Sequence, residues 1–142
     1  MTEDLIIRTT ARLMTPFIQM FGIYIIFHGH HSPGGGFQGG AVIGVSMILL
    51  AVVFGLKEGE KRMGHDLSVV LGSFVLVYVL IGLLGILMGS NFLSNRAAGI
   101  PLGRPGDIIS GGTILALDIV IGFWMASTGK TLFYALVKEG EK

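Results

Sequence analysis

Apolar residues along the chain gather into four long runs, at residues 10–27, 38–56, 67–89 and 108–136. Each is close to, or longer than, the roughly 20 residues a helix needs to cross a bilayer. The second and third runs contain no Asp, Glu, Lys or Arg. Pro16 falls in the first turns of the first run, where a helix tolerates proline best. The fourth run holds Asp118, and Lys130 is expected where that span meets the headgroups. Polar connections separate the runs: HGHHSPGGGF at 28–37, the charged turn KEGEKRMGHD at 57–66, and the irregular SNFLSNRAAGIPLGRPGD at 90–107. The pattern predicts an all-α integral membrane protein. It has about four transmembrane helices, a glycine-rich break between the first and second, and a single membrane domain over 1–142.

Composition sharpens this. Of 142 residues 51% are hydrophobic and only 13% charged, against about 25% charged in a soluble domain. A soluble globule this small has too few charges here to cover its surface, and a disordered chain would be far more polar. There is no cysteine, which excludes thiolate metal sites, disulfides and cysteine nucleophiles. A net charge of +1 argues against nucleic-acid binding.

The placement of the few basic residues predicts orientation. Arg8, Arg12, Lys57, Lys61, Arg62, Lys130, Lys138 and Lys142 fall on one side of a four-span layout, and only Arg96 and Arg104 on the other. Both termini are therefore expected in the cytoplasm. Arg8 and Arg12 before an apolar run mimic a signal peptide, but Glu3 and Asp4 spoil the basic region and no A-x-A-like site follows.

Three features carry candidate chemistry. Residues 34–39 spell G-x-G-x-x-G, yet no strand precedes them and no αβ alternation exists, so a dinucleotide site is excluded. The same glycines suit a sharp turn, and Gly36, Gly40 and Gly44 repeat a small residue every fourth position, which favours a close helix contact. A plain tight turn, a pathway-lining break and a contact surface for another subunit all remain open. His28, His30 and His31 could relay protons, but no neighbouring Cys or carboxylate completes a metal site. Asp118 is the only acid within a span. It shares a helical stripe with Gly111, Leu115, Gly122 and Met125, which suits a packed interface. Ion or proton handling and a structural hydrogen bond both fit it.

Lesser features are Gly82, Gly85 and Gly89, expected at a close helix contact, and Ser46, Ser68, Ser73, Ser110 and Thr113, able to bond across helices. Trp124 and Tyr134 are expected to anchor at the membrane interface. No hydrolytic constellation exists.

Ile7-Arg8-Thr9, the first span and the run Gly29-His30-His31-Ser32-Pro33-Gly34-Gly35-Gly36-Phe37-Gln38-Gly39-Gly40 resemble the B subunit of multi-subunit Mrp/Mnh-type cation/proton antiporters. That family carries G-H-x-x-P-G-G-G-F-x-G-G after the first of four spans. The resemblance covers essentially the whole chain. It implies a small subunit, not an enzyme on its own, in a complex exchanging Na⁺ for H⁺ across the cytoplasmic membrane of a bacterium or archaeon. Its partners would be other membrane subunits and the lipid bilayer, with no cofactor and no bound metal beyond transported Na⁺ and H⁺. Similar B-like subunits occur in archaeal membrane-bound hydrogenases and related respiratory complexes. A structural or assembly subunit of such a redox-driven complex is therefore the alternative. The carried-over positions are Gly29, Gly34, Gly35, Gly36, Gly39 and Gly40 as backbone devices, with His30, Pro33, Phe37 and Asp118 as ion-pathway candidates. His31 and Gln38 depart mildly from the family pattern.

The span count makes one expectation concrete: alkaline carbonate washing should leave the chain in the membrane pellet. Recovery in the supernatant would contradict the integral reading.

Overall fold

The structure is a computed structural model that describes residues 2–29, 34–63, 73–94, 99 and 112–140. These residues form α1 (Thr2–Phe27), α2 (Gly35–Phe54), α3 (Leu56–Met63), α4 (Phe74–Leu87) and α5 (Thr113–Gly140). Among them α1, α2 and α5 are long and apolar enough to cross a membrane. The third expected span is represented by α4, 14 residues long; positions 67–72 of that run lie outside the described residues. The chain is a multi-pass membrane protein, and many large apolar side chains face outward, among them Phe17, Val52, Leu80 and Leu136. In lipid such a surface needs no polar cover.

The helices start and stop where local chemistry allows. α1 begins two turns before the expected span and runs through Pro16 without interruption. The neighbouring Thr15 is buried and its hydroxyl donates to the Ala11 carbonyl at 2.7 Å. The break before α2 is made by Gly34 at φ 143° and Gly35 at φ 59°, conformations that side-chain-bearing residues rarely adopt. Gly55, at φ 88°, ends α2 and redirects the chain into α3. The stretch expected as a charged turn is thus a short helix.

Registers across the helix pairs define the topology. A Cβ on Gly22 of α1 would lie 2.6 Å from Ile43 Cγ1, and one on Gly39 of α2 would lie 2.5 Å from Ile26 Cγ1. As the position in α1 rises its partner in α2 falls, so these helices are antiparallel. Between α2 and α5 the pairs are Gly36 with Asp118, Gly40 with Gly122, and Gly44 with Ala126. Both numbers rise together, so α2 and α5 are parallel. Two parallel spans require a return crossing between them, and the apolar helix α4 lies in that interval of the chain. The start of α1 and the end of α5 consequently share one end of the bundle.

The core is narrow. Ile26, Ile43, Met47, Ala51, Ala126 and Tyr134 form the buried cluster, with Leu56, Ile119 and Phe133 against it. Ser46 is fully buried but bonds to the Ile43 carbonyl of its own helix at 2.6 Å rather than across helices. The contact expected at Gly82 and Gly85 takes a different form. The chain following α4 folds back, placing the Phe92 ring on Gly82 and the Asn91 carbonyl against Gly85. Ser90 N–H donates to the Gly85 carbonyl at 3.0 Å, and the Ser90 hydroxyl donates to Ser94 at 2.8 Å. Gly89 has open space around it. α4 itself meets α5 through Phe74 and Phe123, stacked with centroids 5.6 Å apart.

The α2–α5 seam predicts an asymmetry between glycines. A Cβ at Gly40 would overlap the Gly122 carbonyl, whereas one at Gly129 meets nothing within 4 Å. Gly40→Val should destabilise the fold by about 1–3 kcal/mol, and Gly129→Ala should be neutral or stabilise by up to about 1 kcal/mol. Unfolding of the chain in detergent micelles, followed by circular dichroism, reads both.

Candidate functional site

The site is built where α1 ends, α2 begins and α5 passes both. α2 exposes first-turn N–H groups that have no partner within the helix. Its cap position is Gly34, which has no side chain to bond them, and no side-chain cap is made from there. The acceptor comes instead from α5. Gly36 N–H donates to Asp118 Oδ1 at 3.2 Å, across 82 residues of sequence. A carboxylate at a helix N-terminus also lies at the positive end of the helix dipole. Both effects favour an acid at this position.

Glycine makes the approach possible. A Cβ at Gly36 would overlap the Asp118 backbone carbonyl, one at Gly29 would sit 2.7 Å from Asp118 Oδ2, and one at Gly35 would sit 3.1 Å from Oδ1. Gly29 after α1 and Gly35 at the start of α2 therefore border the carboxylate, and Gly36 lets the two backbones meet. Its two oxygens differ: Oδ1 holds the Gly36 N–H, while Oδ2 is buried with no hydrogen-bond partner among the described residues. The residue as a whole is half-buried.

α2 also sets the depth. Asp118 lies level with the first turn of α2, at the end of the bundle opposite the chain termini, rather than midway along the spans. Along α5 the face toward α2 continues from Asp118 through Gly122 to Ala126, and the same four-residue spacing leads on to Lys130 and Tyr134. Beyond Gly122 it is Ala126 rather than the expected Met125 that meets α2. Lys130 lies twelve residues beyond Asp118, about 18 Å along the axis.

For Lys130 and Tyr134 the packing within the bundle adds what residue type does not show. Both are expected at the membrane interface, and within the bundle Lys130 is only 6% exposed and Tyr134 7%. The ammonium sits 5.6 Å from the Tyr134 ring centroid. The Tyr134 hydroxyl donates to the Leu56 carbonyl at 3.3 Å and lies against Gly59, so it docks α3 onto α5. The available signal was the four-residue spacing from Asp118, which continues into both residues. Trp124 is 42% exposed.

Other expected site residues scatter. Phe37 follows Gly36 in α2 but is 59% exposed. His28 is half-buried, its ring 4.0 Å from that of Tyr24 and its Nδ1 3.0 Å from the Tyr24 carbonyl. His30, His31 and Pro33 lie outside the described residues, as do Gly111, Ser68 and Ser110. Gly39 packs on α1, against the Gly22 carbonyl and Ile26, and Gly40 packs on α5. The motif glycines thus serve two faces of α2.

A family model described as a domain related to the MnhB subunit of the Na⁺/H⁺ antiporter matches residues 6–129. This stretch contains both the glycine motif and Asp118. The chain belongs to that family. Two relatives carry the name of the B subunit of a Na⁺/H⁺ antiporter. The one from Bacillus subtilis is 34% identical over 94 residues, 66% of each chain. The one from Alkalihalophilus pseudofirmus is 29% identical over 93 residues, 66% of this chain and 65% of its own. The aligned stretch thus spans just under two thirds of each relative.

The cap geometry separates two substitutions. Asn keeps a carbonyl oxygen for the Gly36 N–H, and Ala does not. Asp118→Ala should destabilise the chain by about 0.5–2 kcal/mol relative to Asp118→Asn, measured as a lower Tm in the same detergent.

Proposed function

We propose that this chain is a small subunit of a multi-subunit Na⁺/H⁺ antiporter in the cytoplasmic membrane, and that it helps form the cation or proton path. The family assignment and the names of the relatives support the host complex. The other membrane subunits of that complex are its partners. Both termini face the cytoplasm, in keeping with the basic residues concentrated at that end. The chain has no catalytic role of its own.

One observation carries the site assignment: the Asp118 carboxylate is held through Oδ1, while the buried Oδ2 has no hydrogen-bond partner among the described residues. An ionisable residue within a membrane span is by default a candidate functional group. Oδ1 fixes the group without consuming it, and Oδ2 is the oxygen that takes and releases a proton or meets a cation. His30, Pro33 and Phe37 border the same break in sequence and are assigned to its lining.

A second reading has its own observation. The Gly36–Asp118 hydrogen bond by itself explains an acid at this position as a helix cap, which is the role expected in a purely structural subunit, including one of a redox-driven complex. Asp118→Asn distinguishes the two, because it keeps the acceptor and removes the ionisable proton. Everted vesicles from antiporter-deficient cells carrying the whole complex should show at least tenfold slower Na⁺-driven release of a pH gradient with Asp118→Asn, at normal subunit content. Unchanged exchange would leave Asp118 as a cap alone.

A further inference from the structure

At the end of the bundle that holds both chain termini, the elbow between α2 and α3 opens a crevice of about 740 Å³ lined by Phe54, Leu56, Lys57, Glu58, Lys61 and Lys138, with Gly55 at its apex. Three cations from two elements face one carboxylate. Lys57 and Lys61 are one helical turn apart on α3, and Lys138 comes from the last turn of α5. A fourth cation stands nearby, with the Arg12 guanidinium 5.5 Å from the Phe54 ring centroid. The crevice also receives the N-terminus of α3. The first bond of that helix runs from Gly59 N–H to the Gly55 carbonyl at 2.9 Å, which sets the positive end of the α3 dipole at the crevice. Phe54 and Leu56 supply an apolar wall continuous with the lipid-facing end of α2.

We infer that this crevice is a binding site for the phosphodiester headgroup of an anionic phospholipid. Lysines and the positive end of a helix dipole both suit phosphate. The location selects lipid over a free ion. α2 and α5 are spans, and α3 leaves α2 at its end, so the crevice lies at the depth where headgroup phosphates are concentrated. Basic pockets between helices on the cytoplasmic side are suited to such headgroups. The apolar wall takes the first methylenes of an acyl chain, which inorganic phosphate lacks. The position of Gly55 explains how the site arises: its left-handed φ turns α3 across the end of the bundle, and Tyr134 holds it there through the Leu56 carbonyl. The inference concerns a different end of the molecule from Asp118 and stands without the ion-path reading.

The test is native mass spectrometry of the full chain, purified with the subunits it retains, titrated with phosphatidylglycerol or phosphatidylcholine. Wild-type protein should bind phosphatidylglycerol at least tenfold more tightly. The triple variant K57Q/K61Q/K138Q should lose that preference to within twofold, and K57R/K61R/K138R should keep it. If the glutamine variant fails to assemble, Lys138→Gln alone decides, with an expected loss of about threefold. Equal binding of the two lipids by wild type, or a preference that survives the glutamine substitutions, would overturn the assignment. So would displacement of phosphatidylglycerol by millimolar inorganic phosphate alone, which would make the ligand a free anion. A preference absent from the assembled protein and present only in the separated chain would also overturn it, and would assign the crevice to an acidic segment of a partner subunit.

Discussion

The contact on which the rest of the structure depends is the near-backbone approach of α5 to α2. Gly36, Gly40 and Gly44 on one helix meet Asp118, Gly122 and Ala126 on the other, and at the first two levels there is no room even for a methyl group on α2. In lipid no hydrophobic force draws two helices together, so close van der Waals packing and interhelical hydrogen bonds must do it. The Asp118 carboxylate adds a directional element at this seam by accepting the Gly36 N–H. The same arrangement meets the need of the α2 N-terminus for an acceptor and the need of a half-buried acid for a donor.

From this seam the other features follow. Parallel α2 and α5 require a crossing between them and place the chain termini at one end. α1 can lie against the remaining face of α2 because Gly22 and Gly39 admit it, so α2 is packed on two sides with little side chain to spare. At the far end Tyr134 continues the same α5 stripe and docks α3. One four-residue periodicity therefore organises an acid at one end of the bundle, a buried lysine further along, and the elbow that forms the basic crevice.

Much of this was legible in the sequence, for identifiable reasons. The apolar runs located α1, α2 and α5, because spanning length and lack of charge are local properties. The Gly36–Gly40–Gly44 spacing marked a close contact before its partner was known, and the Asp118–Gly122 stripe marked the complementary face. The exceptions involve distant partners. Gly82 and Gly85 carried the same small-residue signal, yet they receive the returning chain at Asn91 and Phe92 instead of a helix. Residue type suggested a depth for Tyr134 and Lys130 but not their burial, which contacts made within the bundle decide. The charged stretch at 57–62 read as a turn, but Gly55 redirects it into a helix.

The sequence by itself determined that the chain belongs in a membrane, where its long helices run, and which family it joins. These depend on hydropathy, glycine spacing and a long motif, all carried by neighbouring residues. Only the tertiary structure decided that Asp118 meets the α2 N-terminus, that its two oxygens differ in environment, and that three lysines converge at the elbow. A carboxylate and an N–H separated by 82 positions share no local signature. What joins them is the register of two helices, and that register is set by the space that side chains leave empty.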